Sequence, residues 1–184
     1  MVANYYYFAS SLPSIYMDKD APISYKDFMI AAKNQIKEKD YHDLELVTFH
    51  PEGNGGARLP IVKEWESLIY SVNEMMTEER AKKLGLDSEK EYKARCDHDN
   101  VLEDKVKRIV SMDNPLEAER AILSLYFDFL SDYELSDPFS TTALMVYGLK
   151  LQIKERASSF DSRKGRAEFD HLFKDVQKDI FHKE

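Results

Sequence analysis

Apolar positions recur every three or four residues over most of the chain and alternate in only one short stretch, which predicts helices rather than strands. The cleanest stripe is Ile61, Val62, Trp65, Leu68, Ile69, Val72, Met75 and Met76. At ~100° per residue it fills an arc of roughly 140°, with Lys63, Glu66, Asn73 and Glu74 opposite. Pro60 suits the opening of this helix and Gly85 its C-terminal cap. An earlier helix opens on a capping-box-like Ser24-x-x-Asp27 and carries Tyr25, Phe28, Met29, Ala32 and Ile36.

Residues 101–160 predict three consecutive helices and contain the most apolar run. The first carries Val101, Leu102, Val106, Ile109 and Val110. The second starts at Asn114-Pro115-Leu116-Glu117, with Asn as N-cap, Pro at the first helical position and Glu near the positive helix end. Its apolar arc of roughly 200° suits contact with at least two neighbours. The third takes its start from Ser136-Asp137-Pro138 and runs into Ala143-Leu144-Met145-Val146-Tyr147-Gly148-Leu149, which is apolar on all sides and therefore central. That run is far short of the ~20 residues a membrane span needs. Gly148, in mid-helix, costs about 1 kcal/mol relative to Ala and marks a close approach of another helix. A last stripe, Phe169, Leu172, Phe173, Val176 and Ile180, follows a basic turn at Arg163, Lys164 and Arg166.

Other stretches read differently. Residues 4–16 hold five aromatics in an extended segment or short helix ending at Pro13, and core packing is the ordinary use of such residues. Leu44, Leu46 and Thr48 alternate, so a short strand near 44–48 and a continued helix both fit. Pro51, Gly53, Gly55 and Gly56 enforce a loop; it lacks the Gly-Lys-Ser/Thr ending of a phosphate cradle. Residues 77–100 are mostly charged and predict a solvated helix pair or projecting arm. The expectation is an all-α, irregular bundle of about six or seven helices forming one domain over 1–184.

With 184 residues the chain is long enough to bury a core without staples. A net charge of −8 disfavours a broad nucleic-acid-binding face. The single Cys96 excludes an internal disulfide and suits a reducing compartment. No leader pattern opens the sequence, so a cytoplasmic location is expected. Catalytic and metal chemistry is thinly represented. Glu168-x-x-His171 and Asp179-x-x-His182 imitate half of a di-iron site but share one terminal stretch, whereas such a site draws its pairs from different helices. Cys96-x-His98 has no second ligand pair, and neither His42 nor His50 has a partner at useful spacing. The residues therefore predict no catalytic, cofactor or metal site.

Several motifs together resemble a family of uncharacterised bacterial proteins encoded in V-type ATPase operons. They are Tyr5-Tyr6-Tyr7-Phe8-x-x-Ser11-Leu12-Pro13, Trp65-Glu66-x-x-Ile69 with Arg80-Ala81-x-x-Leu84-Gly85, and Asn114-Pro115-Leu116-Glu117-Ala118-Glu119-Arg120. Phe139-Ser140 and Leu149-Lys150-Leu151-Gln152-Ile153-Lys154-Glu155-Arg156 extend the likeness over most of the chain. The chain also looks like a shortened relative of the C/d-type adaptor of these ATPases, the helical body between rotor ring and central shaft. The resemblance implies a non-catalytic V-type ATPase subunit or assembly factor, peripheral to the membrane, whose partners are stalk and ring subunits. Candidate partner-binding residues are Tyr5, Tyr6 and Tyr7 together with Arg163, Lys164 and Arg166. The alternatives from other classes are a helical metalloprotein built on Glu168 and His171, and a regulatory module using the charged segment 77–100.

Overall fold

Side-chain caps set three of the helix starts in the computed structural model, which describes residues 5–50, 59–86, 100–133, 135 and 137–160. Seven helices lie among the described residues: α1 (Tyr6–Ser11), α2 (Tyr25–Gln35), α3 (Glu38–Glu45), α4 (Pro60–Lys83), α5 (Asn100–Val110), α6 (Pro115–Asp132) and α7 (Thr141–Ser159). Ser24 Oγ accepts from the Asp27 N–H at 3.0 Å and donates to the Asp27 carboxylate at 2.7 Å, so Ser24 caps α2 and the return bond of Asp27 goes to the Ser24 hydroxyl rather than to its backbone N–H. Asn114 Oδ1 accepts from the Leu116 N–H at 3.0 Å ahead of Pro115. Pro60 opens α4 as expected. At its far end Gly85 adopts φ 69°, while its N–H reaches the Lys82 carbonyl and the Leu86 N–H reaches that of Ala81, both at 3.1 Å. This pair of bonds is a Schellman stop, and the left-handed backbone explains the glycine.

Two expectations are corrected. The third helix of the 101–160 stretch begins at Thr141, not at Asp137-Pro138; Ser136 itself lies outside the described residues. Asp137 Oδ1 accepts from the Phe139 N–H at 2.9 Å to make a local turn, and the Phe139 carbonyl is taken by the Tyr5 N–H at 2.7 Å. That carbonyl is therefore lost to helical pairing, and Ser140 becomes the cap, its Oγ accepting from the Ala143 N–H at 3.3 Å. Neither reading of 44–48 holds throughout: α3 runs only to Glu45, and 46–48 form neither helix nor strand. The segment beyond it forms no strand because side chains satisfy its backbone. Gln152 donates to the Val47 carbonyl at 3.0 Å and accepts from the Phe49 N–H at 2.8 Å, while Trp65 Nε1 donates to the Thr48 carbonyl at 3.1 Å.

The charged segment 77–100 divides. Residues 77–83 are the last two turns of α4, with Ala81 buried, and 87–99 lie outside the described residues. No helix among the described residues is long and apolar enough to cross a membrane.

Helix α7 is the organising element, as its all-round apolar sequence predicts. Helices α2, α3, α4 and α6 all pack on it, and α5 bridges α4 and α6. Leu144, Met145, Leu149, Leu151 and Ile153 are each essentially inaccessible. Lys154 is buried among them and donates from Nζ to the Met17 carbonyl at 2.8 Å, pinning the segment before α2 to the central helix. At Gly148 a Cβ would stand 3.2 Å from Phe28 Cε1 and 3.5 Å from Tyr25 Cε2, so α2 approaches here as the glycine predicts. Phe28 cannot yield freely, being wholly buried between Phe8 and Tyr147. Gly148→Leu is expected to destabilise the fold by about 2 kcal/mol or more through overpacking. Gly148→Ala should stay within about 1 kcal/mol, since helix propensity offsets the tight contact. Paired urea titrations of the two variants check the difference.

Candidate functional site

The aromatic run at 5–8 divides by position along α1. Tyr5 precedes the helix and points inward, while Phe8 on the first turn is buried and stacks on Phe28 at 5.9 Å. The phenol of Tyr5 sits at the start of α3: it accepts from the Lys37 N–H at 3.2 Å and donates to Asp40 Oδ2 at 2.5 Å. Lys37 is the N-cap of α3 and Asp40 its third residue, and the helix has no side-chain cap of its own. A capping box joins these two positions directly. Here the phenol stands between them, so a residue 32 positions away supplies the cap.

Tyr6 and Tyr7 face outward. Tyr6 is 55% exposed with its ring 4.7 Å from Phe139, and Tyr7 is 87% exposed, edge-on to Tyr6 at 5.6 Å. Together with Phe139 they form an aromatic patch on a mount fixed at both ends by Tyr5: its N–H to Phe139, its phenol to α3. Of the candidate partner-binding residues, the structure therefore brings Tyr6 and Tyr7 together at the surface and assigns Tyr5 to holding them there. Arg163, Lys164 and Arg166 lie outside the described residues. Sequence reasoning missed Phe139, because only the Tyr5 bond to its carbonyl brings it beside α1.

A second feature is a groove of about 650 Å³ between α4, α5 and α6. Leu68, Leu102, Leu125 and Phe129 form its apolar wall, and Glu64, Asp128, Asp132, Lys105 and Tyr133 its polar edge. Burial, and then the charge and hydrogen bond of Glu64, raise the Tyr133 phenol above its ordinary value. Neither feature joins a nucleophile to a base. Among the described residues no three His, Cys, Asp or Glu side chains gather where they could hold a metal ion. Glu168, His171, Asp179, His182, Cys96 and His98 lie outside the described residues. His42 is at the surface, 3.8 Å from Glu45, and His50 lies edge-on to Phe49.

Buried and half-buried phenols give the protein an alkaline limit. Burial first, then the hydrogen bond to Asp40, push Tyr5 up to about 12, with the Lys37 N–H pulling the other way. Burial likewise lifts Tyr25 and Tyr147 to about 12 and raises Tyr126. Unfolding releases these phenols to ionise near 10, so the unfolded chain binds fewer protons and stability falls as pH rises. The contribution is whole below about pH 10 and disappears toward pH 12, with a slope of at most about 1.4 kcal/mol per pH unit for each phenol. Urea midpoints measured from pH 8 to 11.5 should decline above pH 10. Tyr5→Phe should lower stability at pH 8 by about 1–2 kcal/mol, having removed the α3 cap, and decline less steeply.

Comparison with protein-family models, with curated proteins and with solved structures finds no match to this chain.

Proposed function

We propose that the chain is a non-catalytic accessory or central-stalk adaptor of a V-type ATPase, similar to the C/d-type adaptor, linking shaft and membrane rotor. The ATPase assignment rests on the family resemblance of the motifs at 5–13, 65–85, 114–120, 139–140 and 149–156. The observation that supports a docking role is the exposed Tyr6–Tyr7–Phe139 patch. Tyrosine rings give large contact area with only two side-chain torsions to fix, and tyrosine is enriched at binding hot spots. The buried faces of α2 to α7 belong to one packed cluster. A stiff body with an outward aromatic handle suits mechanical coupling, where a compliant linker would dissipate torque.

Affinity purification of the chain from its native cells tests this reading. The expected result is co-purification of rotary ATPase stalk or ring subunits at a fixed molar ratio, measured by quantitative mass spectrometry. Their absence under conditions that keep the ATPase assembled would refute it.

A further inference from the structure

The groove between α4, α5 and α6 is edged along α6 by two parallel rows. Leu125, Phe129 and Tyr133 recur every four residues, and so do Asp128 and Asp132, so an apolar row runs beside a carboxylate row on one face of the helix. Leu68 of α4 and Leu102 of α5 complete the apolar wall, and both are half-buried, as is Phe129. At one end the walls are joined, because the Tyr133 phenol donates to the Glu64 carboxylate on the first turn of α4. That bond occupies Glu64. Asp128 and Asp132 are exposed and have no ion-pair partner among the described residues, although Lys105 lines the groove from α5. Lys150 on α7 feels the charge of Asp132 without pairing with it.

Size decides the kind of occupant. The groove runs from Leu125 to Tyr133, about 12 Å at 1.5 Å per residue, and encloses about 650 Å³. Sites for small organic molecules span roughly 300–1,000 Å³ and are mostly apolar with a few placed polar groups. A stable protein contact needs about 800 Å² on each partner, far more than two helical turns of open wall offer. Charge decides the occupant's sign. An anion would meet Asp128 and Asp132 and find only Lys105, while an uncharged chain would gain the wall and nothing from the rim.

We propose that this groove binds a small organic cation with an apolar body, an alkylamine or arylalkylamine, whose chain lies on Leu68, Leu102, Leu125 and Phe129 and whose ammonium sits at Asp128 and Asp132. The two aspartates are one turn apart, about 6 Å along the axis, so one ammonium between them reaches both. The wall supplies most of the affinity, at about fourfold in Kd for each methylene it covers. The carboxylates are solvent-screened and contribute at most about fivefold each, which sets selectivity more than strength. This site does not rest on the ATPase reading and leaves Tyr6 and Tyr7 untouched.

Titration of the full chain with octylammonium, octanol and octanoate, followed by amide NMR, tests the proposal. Shifts should be confined to 64–68, 101–105 and 125–133, and should include the indole of Trp65, the single tryptophan, whose ring lies 6.5 Å from Phe129. Octylammonium should bind at least about threefold more tightly than octanol, with octanoate weakest. Hexylammonium should bind about tenfold more weakly than octylammonium, having lost two methylenes. Asp128→Asn with Asp132→Asn should bring octylammonium down to the affinity of octanol and leave the melting temperature unchanged, since both side chains are exposed. Lys105→Gln should tighten octylammonium. The proposal is overturned by any of four results: no saturable binding of octylammonium, equal affinity for octanoate, a preference for the ammonium that survives the double substitution, or shifts centred outside the groove. Groove amides that shift with protein concentration alone would also overturn it, by assigning the wall to a second copy.

Discussion

Trp65→Ala is expected to lower the stability of the fold by about 3–5 kcal/mol, the range for truncating a buried aromatic to alanine. At this chain length that corresponds to a fall in Tm of roughly 10 °C. Trp65 is only 1% exposed and touches three rings: Tyr126 at 5.4 Å, Phe49 at 6.3 Å and Phe129 at 6.5 Å. It therefore joins α4 to α6 and to the segment after α3 at one point. Its Nε1 also holds the Thr48 carbonyl, one of the bonds that keep 47–49 in place without a strand. Trp65→Phe should cost less, about 1–2 kcal/mol, because most of the ring volume returns while the bond to Thr48 does not. Thermal and urea denaturation followed by circular dichroism separate the two variants. Amide exchange at Val47 to Phe49 should rise in both, since both lose the indole N–H. A change below about 1 kcal/mol for Trp65→Ala would mean that this cluster does not hold α4 to α6.

The parts of this fold legible in the sequence are those that local chemistry dictates. Ser24 with Asp27, Asn114 with Pro115, Pro60 and Gly85 each act within a few residues of themselves, and each marks a helix end as its chemistry predicts. The stripe from Ile61 to Met76 is legible for the same reason: a period of 3.6 leaves one face to bury, and Leu68 alone of its members stays half open, at the groove. Distant pairings are not legible. Nothing around Val47 to Phe49 announces that Gln152, more than a hundred residues on, will satisfy their backbone, so strand and helix looked equally good there. Ser136-Asp137-Pro138 has the composition of a helix start, but the Tyr5 N–H takes the carbonyl the first turn would have used. Lys154 has no sequence mark that separates it from the exposed lysines, because its carbonyl partner at Met17 lies beyond any local pattern.

The same division runs through the candidate surface. Three adjacent tyrosines suggest a single aromatic face, yet Tyr5 is drawn inward by the bare N-terminus of α3 while Tyr6 and Tyr7 turn out on the first turn of α1. A run of like residues shows that aromatic area is present; only the backbone direction at the helix start sorts it into anchor and handle.

That sorting makes the handle testable apart from the fold. Tyr7→Ala removes a ring that is almost wholly in solvent, so the free protein should change by less than about 0.5 kcal/mol. If the patch is the docking surface, the same change removes a hot-spot residue. The expected loss is at least about 2 kcal/mol of binding, close to 30-fold in Kd. Tyr6→Ala should cost a similar amount of binding and slightly more stability, since its ring also rests on Phe139. Tyr5→Phe gives the opposite signature: a weaker fold at neutral pH, with both outward rings retained and affinity per folded molecule preserved. Binding of the purified ATPase to immobilised wild type and the three variants, read beside their melting curves, distinguishes handle from anchor. Wild-type affinity in the Tyr6→Ala/Tyr7→Ala double variant, with its melting temperature unchanged, would remove this patch from the interface and move the search to the opposite face of the bundle.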